Sequence, residues 1–533
     1  MATSKALSSV FLEKGVYNPV DPAWGAKGDG VTVDTVAIQA MMTAIAAETT
    51  PVYIRFPAGY DFVIDALVNC DLPSGSVVDA RGAKFTCTHN GLAFDLNPDA
   101  TAGIPWNTTV DATIGVKYNI TWLGGWGINT NATKTASVFI RAYMMRVFRM
   151  QSVQIGDTSA SGNGFFAGVE FAGKDSYTFS NFFTRGCARH FWVPDAGVVF
   201  TASLSANNLL NVRFDDCHKS LDGTGVTCQA GVYFDNVVTN FLETQGSYNG
   251  PPSVAGIRFD NNSTIRSQNI SFSGTHWEQG AAGVPHVLFV NTGAFTAAQV
   301  GFEGVSFDDG CHFESATAGW YGVTLACCTG VNFGAVTFAD GSGGGTEQGI
   351  YVDDSSRKIR VSEQCVFRSF AAGQAIVLQT ATNRPYITIE PEVCYPTELT
   401  EGPLVFVRVL TNYAVTAKTT AAEALLDMSA EFTDFSKFLL PPKGYWMNLR
   451  VNDSGSAAAG ANTCFMKLRK ETTAGVHNSN APLAVDCAGA PNDSIRWMSG
   501  YCPADENGDM QVTFNATGAG TLDVLIAVTA VHQ

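Results

Sequence analysis

Residues 231–259, GVYFDNVVTNFLETQGSYNGPPSVAGIRF, contain one full unit of a repeat that runs through the middle of the chain. The unit begins and ends with a glycine followed by a short apolar strand, GVYF at 231 and GIRF at 256. The same pattern recurs as GVEF at 168, GVVF at 197, GVTL at 322 and GIYV at 349, and HVLF at 286 and AIVL at 375 fit it without the glycine. One such unit cannot bury its own apolar side, but stacked copies share a continuous core.

The spacing of these strands predicts a solenoid. The strand starts are 25 to 36 residues apart, at Val169, Val198, Val232, Ile257, Val287, Val323, Ile350 and Ile376. A second strand recurs inside the units, as NVRFDD at 211, NISFSG at 269, GVSFDD at 304, AVTFAD at 335 and QCVFRS at 364. Helical periodicity is missing between the strands, which excludes globular βα repeats. We therefore predict an all-β fold with a main parallel β-helix over residues 136–395.

The repeat stops at about residue 396, where a different pattern begins. Alternating strands such as EGPLVFVRVL, KGYWMNLRV, MQVTFNA and TLDVLIAVTAV are separated by clusters of Gly, Asn, Asp and Ser. This arrangement is typical of an antiparallel sandwich or barrel. The sequence predicts a separate C-terminal antiparallel β-sandwich domain over residues 396–533.

Composition narrows the classes of partner. The chain of 533 residues has 32 Lys plus Arg against 48 Asp plus Glu, a formal net charge of −16 and a pI near 4.9. Nucleic-acid binding depends on clustered cations, so no nucleic-acid partner is expected, and anionic membranes are disfavoured for the same reason. The N-terminal residues MATSKALSSVFLEKG lack a signal-peptide core, and no run of about eighteen apolar residues occurs. We expect a protein that is not secreted by the general route.

The thirteen cysteines are an odd number and show no CxxC spacing. Neither a structural zinc site nor a complete disulfide framework is therefore indicated, and buried reduced thiols are expected. The composition gives no sign of a cofactor.

Residues 25–40, GAKGDGVTVDTVAIQA, place a glycine-rich turn before a helix. Asp34 or Thr35 can cap this helix, and its apolar positions Ile38, Met41, Met42 and Ile45 follow the i, i+3, i+4, i+7 stripe. VYIRFPAGYDFVID then reads as strand, turn and strand. The segment predicts a cap that leads into a sheet, and its turn is structural because no phosphate-binding spacing is present.

The same segment resembles the N-terminal part of the pectate-lyase-like superfamily as found in bacteriophage tailspikes and capsular polysaccharide depolymerases. The resemblance is carried by Gly25–Gly30, Asp34-Thr35, Ala37–Gln39 and Val52-Tyr53-Ile54 leading to Phe56–Gly59, and it directly covers about the first sixty residues. It implies a right-handed parallel β-helix, with a short N-terminal arm (residues 1–20) and a small cap with the first coils (residues 21–135).

Further properties follow from the resemblance alone. It implies a homotrimer in the virion that attaches to the phage tail or to an adaptor protein and binds and cleaves a bacterial surface polysaccharide. In tailspikes a C-terminal β-domain assists trimerisation or binds sugar. Trimer assembly would also cover solenoid edges that otherwise invite aggregation.

Candidate chemistry lies in one column of the repeat. Alignment of the units on the second strand brings Cys217-His218, Thr275–Glu278 and Cys311–Glu314 together, so that the pattern HxE occurs twice, one coil apart. Stacked strands are about 4.8 Å apart, which predicts roughly 5 Å between equivalent groups on neighbouring coils and roughly 10 Å over two coils. These separations bracket the carboxylate spacings of retaining and inverting glycosidases.

The predicted roles follow from this column. Glu243 and Glu278 are expected to carry hydrolysis, supported by Asp308 or Glu314, while His276 orients a carboxyl or a substrate hydroxyl. Trp277 and Tyr248 are expected to form a stacking platform for sugar. The remaining substrate-binding candidates are Asp215, His218 and His312. No metal is expected, because His276 and His312 lie on different coils without a closing set of ligands.

Three alternatives stay open at this point. Endo-glycosidic hydrolysis is preferred because carboxylates dominate the column, but Tyr248, His276 and Arg213 could instead serve β-elimination on a uronic-acid polymer. A non-catalytic receptor-binding spike fits the same repeats. Pectin cleavage is not expected, since the Asp215-Asp216 pair is not followed by the GHG motif of the polygalacturonases. No calcium-binding acidic cluster with an arginine base, as in pectate lyases, stands out.

Overall fold

A computed structural model describes residues 16–379 except 101–115, 158–162, 173–174, 195–209, 223–225, 236–237, 262–265, 293–300, 342–345, 363, 369 and 371–374, and beyond these residues 387–389 and the strands between 405 and 531. Within these residues the backbone forms one helix, α1 (Thr35–Ala46), and is otherwise built of strands. The described residues contain no helix with the length and apolar character needed to cross a membrane.

The strands of the first part are β1 (Val16–Tyr17), β2 (Asp29–Val33), β3 (Tyr53–Arg55), β4 (Asp61–Ile64), β5 (Val68–Asn69), β6 (Val77–Asp79), β7 (Lys84–Cys87), β8 (Leu92–Asp95), β9 (Lys117–Tyr118), β10 (Thr121–Leu123), β11 (Trp126–Asn129), β12 (Val138–Tyr143), β13 (Met145–Arg146), β14 (Phe148–Gln151) and β15 (Gln154–Ile155). Those of the middle part are β16 (Ala167–Ala172), β17 (Asp175–Arg185), β18 (Arg189–Val193), β19 (Leu210–Ser220), β20 (Ala230–Phe234), β21 (Asn240–Thr244), β22 (Ser247–Asn249), β23 (Ile257–Asp260), β24 (Ser267–Ser273), β25 (His276–Glu278), β26 (Pro285–Val290), β27 (Phe302–Asp308), β28 (Cys311–Ser315), β29 (Tyr321–Leu325), β30 (Cys328–Phe333), β31 (Val336–Asp340), β32 (Gln348–Val352), β33 (Arg357–Val361), β34 (Val366–Arg368), β35 (Ile376–Leu378) and β36 (Ile387–Ile389). The last part contains β37 (Val405–Val415), β38 (Ala424–Leu426), β39 (Gly444–Asp453), β40 (Cys464–Arg469), β41 (Glu471–Thr473), β42 (Val476–His477), β43 (Ile495–Pro503), β44 (Gln511–Ala516) and β45 (Gly520–Val531).

Strands β1–β36 wind into coils whose equivalent strands pair in parallel. The small pair β9–β13 is also parallel but lies outside the three main ladders. Ladder 1 contains β1, β3, β6, β10, β14, β17, β19, β21, β24, β27, β30, β33 and β36; ladder 2 contains β2, β4, β7, β11, β15, β17, β19, β22, β25, β28, β31 and β34; ladder 3 contains β5, β8, β12, β16, β18, β20, β23, β26, β29, β32 and β35. The long strands β17 and β19 pass through the bend between ladders 1 and 2 and belong to both. The predicted all-β parallel β-helix is confirmed.

The repeat strands predicted from the sequence form ladder 3. Val232 pairs with Ile257, and the register continues through Val287, Val323, Ile350 and Ile376. The prediction for Val198 is wrong: Phe191 of β18 occupies the place between Val169 and Val232. The segment GVVF at 197 itself lies outside the described residues.

The second predicted strand of the unit is in fact two strands. NVRFDD, NISFSG and GVSFDD lie in ladder 1, where Ile270 pairs with Val305. AVTFAD and QCVFRS lie instead in ladder 2, where Phe338 pairs with Phe313 and Phe367. Both ladders alternate apolar and polar residues in the same way, so the sequence pattern does not tell on which side of the bend a strand lies. A coil therefore has three strands.

The interior of the coils is filled by stacked side chains. Phe272, Phe307 and Phe333 stack in ladder 1 with ring centroids 4.8 and 5.0 Å apart. In ladder 2 the rings of Trp277 and Phe313 are 4.2 Å apart and nearly parallel. Each such aromatic pair stabilises the fold by about 0.5–1.5 kcal/mol in addition to the hydrophobic contribution of the surface that it buries. The alternate residues of these strands face outward, and this alternation creates the polar surface described below.

The N-terminal segment forms the predicted helix and the two strands that follow it. The predicted side-chain capping of this helix by Asp34 is not observed. Helix α1 buries Ile38, Met41, Met42 and Ile45. The carboxylate of Asp34 makes no cap hydrogen bond to the helix but accepts the backbone N–H of Lys27 at 2.6 Å and of Gly28 at 3.2 Å, which closes the glycine-rich turn. A side chain at Gly28 (φ +56°) would begin 2.6 Å from the ring of Tyr60, so glycine is required there.

The described cysteines are free and buried, as predicted: Cys70, Cys87, Cys187, Cys217, Cys228, Cys311, Cys327, Cys328 and Cys365. Beyond the coils, strands β37, β45, β39 and β43 pair in one antiparallel sheet, and β38, β44 and β40 in another. This confirms the antiparallel pairing predicted for the C-terminal part. Its packing as a sandwich and the homotrimer stay predictions.

Two buried histidines make the stability of the coils sensitive to acid. Burial lowers the pKa of both His190 and His286 from 6.5 to about 3. Both are neutral in the folded protein, and unfolding releases them to their ordinary pKa. The stability they contribute is complete above pH 6.5 and is lost as the pH falls towards about 3. We expect the unfolding temperature to fall across this range.

The prediction is tested by comparing the unfolding temperature at several pH values for the wild type, His190→Gln and His286→Gln. Each variant should show a flatter pH dependence, because it lacks one buried imidazole. His218→Gln, at an exposed histidine of the same coils, serves as the control. An unchanged slope in both buried-site variants contradicts the prediction.

Candidate functional site

The predicted column lies on the outward faces of ladders 1 and 2, on either side of the bend between them. The bend repeats a left-handed residue on four successive coils, with φ of 50° at Asp216, 53° at Gln245, 61° at Gly274 and 53° at Asp309. Because this backbone turn is the same on each coil, the flanking side chains stack. We call them the bend surface: Asp215, Asp216, His218, Thr244, Ser247, Asn249, Ser273, His276, Glu278, Asp308, Asp309, His312 and Glu314.

The alignment of the histidine column is confirmed. His218 pairs in register with Ser247, Ser247 with His276, and His276 with His312. The parallel register places like positions above one another, so these side chains share one outward row.

The first two coils of the bend surface carry two small clusters of polar side chains, one on each side of the bend. Arg213 makes two hydrogen bonds to the carboxylate of Asp215, at 2.7 and 3.1 Å, and Thr244 also donates to Asp215. On the other side of the bend, His218 Nδ1 lies 2.5 Å from Ser247 Oγ and its Nε2 lies 3.3 Å from Asp216 Oδ1. Asp215 and His218, predicted to bind substrate, are therefore both on the outward face.

The last two coils bring His276, His312 and Glu314 together. Glu314 Oε2 lies 2.9 Å from His312 Nε2, and Glu314 Oε1 lies 3.6 Å from His276 Nε2. The hydrogen bond with His312 and the nearby imidazoles lower the pKa of Glu314. The side chains of His276, His312 and Glu314 are 40%, 30% and 42% exposed, so the cluster is open to solvent.

Glu278 and Asp308 are two further carboxyl groups on the last two coils of the bend surface. The side-chain amide of Asn249 donates to Glu278 Oε2 at 2.7 Å and orients that carboxyl group. Asp308 lies across Gly334 of the next coil, where an added Cβ would meet its Oδ1 at 2.0 Å. This partial burial, together with the charge of Asp309, raises the pKa of Asp308. The two carboxyl groups therefore have different surroundings on one surface.

Two predicted sugar-binding residues do not reach the surface. Trp277 and Tyr248 are fully buried, and their rings stack 5.7 Å apart inside the coils. Both alternate with outward-facing neighbours in ladder 2, and the interior position accepts the large rings. The predicted aromatic platform is wrong for these residues.

Glu243 is also inside the coils. Its register partners in ladder 1 are Phe214 and Phe272, and its side chain is 0% exposed. There it accepts hydrogen bonds from Lys219 Nζ at 2.5 Å and Tyr248 Oη at 2.7 Å. A polymer on the outside cannot contact this carboxylate, so the catalytic role predicted for Glu243 is corrected to a structural one.

The reason given against a metal site is wrong as well. Glu314 supplies the third ligand that the two histidines lacked in the sequence alignment, and the ligand atoms of His276, His312 and Glu314 all lie within 4.8 Å of one another. Stacking of neighbouring coils produces this group, although His276 and His312 are 36 residues apart in the sequence.

The sequence does not identify four polar members of the bend surface: Thr244, Ser247, Asn249 and Ser273. Each is a common turn or surface residue type without a motif of its own. The only signal for them is their register position beside a predicted residue.

No protein-family model and no curated protein sequence matches this chain. Similar solved structures include the Dettilon tailspike protein, 13% identical, covering 97% of this chain and 94% of its own length at a TM-score of 0.42. The tailspike protein of Escherichia coli bacteriophage HK620 is 9% identical over 98% of this chain and 95% of its own, with a TM-score of 0.45. The A-module of the Azotobacter vinelandii mannuronan C-5 epimerase AlgE4 is 12% identical. The match covers 72% of this chain and 96% of the A-module, with a TM-score of 0.47. Tailspikes are among the solved structures to which this chain is similar.

Proposed function

We propose that the protein is a phage tailspike that binds a bacterial surface polysaccharide along the bend surface and cleaves it by endo-glycosidic hydrolysis. The observation that carries the proposal is the set of three carboxyl groups, Glu278, Asp308 and Glu314, on the outward faces of two neighbouring coils beside the bend, together with a row of histidines and hydroxyl groups. A polysaccharide chain offers hydroxyl groups at regular intervals, and a row of polar side chains stacked on successive coils matches such a repeating ligand. The acidic composition of the chain disfavours a nucleic-acid partner.

The chemistry needs one protonated and one ionised carboxyl group beside the glycosidic bond. Asp308 is assigned as the general acid, since its burial against Gly334 and the charge of Asp309 raise its pKa. Glu278 is assigned as the base or nucleophile, because Asn249 orients it by donating to one carboxylate oxygen.

The remaining residues have supporting roles. His276, His312 and Glu314 form a polar row in the same ladder as Glu278, and Asp215 and His218 lie on the outward faces two coils before His276. These positions are assigned to the binding of neighbouring sugar units. Homotrimer formation, contact with a phage tail or adaptor protein and residence in the virion belong to the same proposal and rest on the resemblance of residues 25–59.

We expect the purified protein to shorten a capsular polysaccharide or lipopolysaccharide from at least one strain of a bacterial panel. Size-exclusion chromatography with mass analysis of the products measures this. Saturated oligosaccharides, each bond cleaved with the addition of one water, support hydrolysis. Products with an unsaturated uronate contradict it and point to β-elimination, with Arg213 and His276 as the outward-facing candidates. Binding without any shortening contradicts catalysis and indicates a receptor-binding spike.

A further inference from the structure

We infer that His276, His312 and Glu314 form a binding site for a divalent transition-metal ion of the zinc class. The three residues come from β25 and β28 on neighbouring coils. Their ligand atoms, two imidazole nitrogens and a carboxylate oxygen, all lie within 4.8 Å of one another. This inference goes beyond the proposed hydrolysis and does not rest on it.

The donor set determines the class of metal. Two imidazoles with one carboxylate are the ligands of open zinc sites, which keep a fourth position for water. Imidazole also binds copper, nickel and cobalt, whereas calcium and magnesium prefer sites made of oxygen ligands. The site therefore favours Zn²⁺ and its neighbours over the alkaline-earth ions.

The distances allow a tetrahedral ion after a small adjustment. Bonds of about 2.0–2.1 Å require ligand atoms roughly 3.3–3.4 Å apart. Glu314 Oε2 lies 2.9 Å from His312 Nε2, and Glu314 Oε1 lies 3.6 Å from His276 Nε2, so each histidine approaches a different oxygen of the one carboxylate. The ring centroids of the two histidines are 4.9 Å apart, and both side chains are partly exposed. Rotation of the exposed rings therefore adjusts the donor atoms without moving the backbone.

The fold also holds the ligands in place. His276 and His312 are fixed by the parallel pairing of β25 with β28, and their neighbours Trp277 and Phe313 stack in the interior at 4.2 Å. Most of the ordering of the site is therefore complete in the folded chain before any ion arrives. Glu278, two residues after His276, faces outward on the same strand and keeps the electrostatic surroundings negative.

The experiment titrates the full chain, first freed of metal by a chelator, with ZnCl₂ by calorimetry and with CoCl₂ by visible absorption. We expect one equivalent of each ion to bind at this site, with a Co²⁺ spectrum of tetrahedral or five-coordinate type. His312→Ala and Glu314→Gln should each lower the affinity at least about tenfold. His218→Ala, in the same outward row but outside the cluster, serves as the matched control and should bind as the wild type does.

Two results overturn the inference: absence of any binding to the wild type, or equal binding by the wild type and both cluster variants. Glu314→Gln keeps the shape of the side chain, so it stays informative if His312→Ala fails to fold. Because the readouts are heat and the Co²⁺ spectrum, failure of the metal site is distinguished from failure of polysaccharide cleavage.

Discussion

Replacement of Asp308 by asparagine is expected to lower the rate of polysaccharide cleavage by about 10²–10⁴-fold, the range that a general acid contributes. The amide has the shape of the carboxyl group but no proton to give to the leaving oxygen. Polymer binding should change little, because the contacts of the bend surface remain. The measurement is kcat from the release of reducing ends, together with binding of the uncleaved polymer. A variant that cleaves at the wild-type rate removes Asp308 from the mechanism.

Asp309 provides a pH test of the same assignment. Its charge contributes to the raised pKa of Asp308, so Asp309→Asn should lower that pKa. A general acid must be protonated, and activity is therefore lost as the pH rises through its pKa. The alkaline limb of the pH–rate profile should move to lower pH in this variant. Glu303→Gln changes an outward carboxylate paired with Arg266 away from the bend and should leave the profile unchanged.

The fold could be predicted to a large extent because parallel stacking repeats like residues at like positions. The glycine-led strands of ladder 3 were found together with their register, from Val232 to Ile376. The exception at Val198 arose because RHFWV at 189–193 enters the ladder without the glycine signal. The sequence pattern does not separate ladder 1 from ladder 2. A single left-handed residue such as Asp309 turns the chain without interrupting the alternation of apolar and polar residues.

The sequence predicts which residues of successive coils lie in one row, but the prediction of which side chains face outward was only partly correct. Sequence alignment placed His276 and His312 in one row, and the strand register confirms it. Which residues of a row face outward depends on the exact position of the bend, and an error of one residue reverses every side chain. Trp277, Tyr248 and Glu243 lie inside because each alternates with an outward-facing neighbour along its own strand. The cluster around Glu314 depends on distances between neighbouring coils that only the structure contains.

The buried ion pair of Lys219 and Glu243 is the polar contact whose loss should destabilise the coils most. Lys219 Nζ lies 2.5 Å from Glu243 Oε1, both side chains are 0% exposed, and Lys219 also lies 4.2 Å above the ring of Tyr248. Lys219→Met leaves an uncompensated carboxylate in the core, which is expected to cost about 3–5 kcal/mol. The measurement is the apparent unfolding temperature at a fixed scan rate, and a drop of several degrees is expected.

The double variant Lys219→Met with Glu243→Leu distinguishes the effect of the unpaired charge on stability from the effect of the surrounding packing. Apolar residues of similar volume avoid the cost of removing two charges from water, so the double variant should recover most or all of the stability lost by Lys219→Met. Arg266→Met is the control, because its pair with Glu303 is 49% and 47% exposed and exposed pairs contribute about 0–1 kcal/mol. If Lys219→Met unfolds at the wild-type temperature, the buried pair does not stabilise these coils. A double variant as unstable as the single one would instead assign the loss to packing around Tyr248 rather than to the unpaired charge.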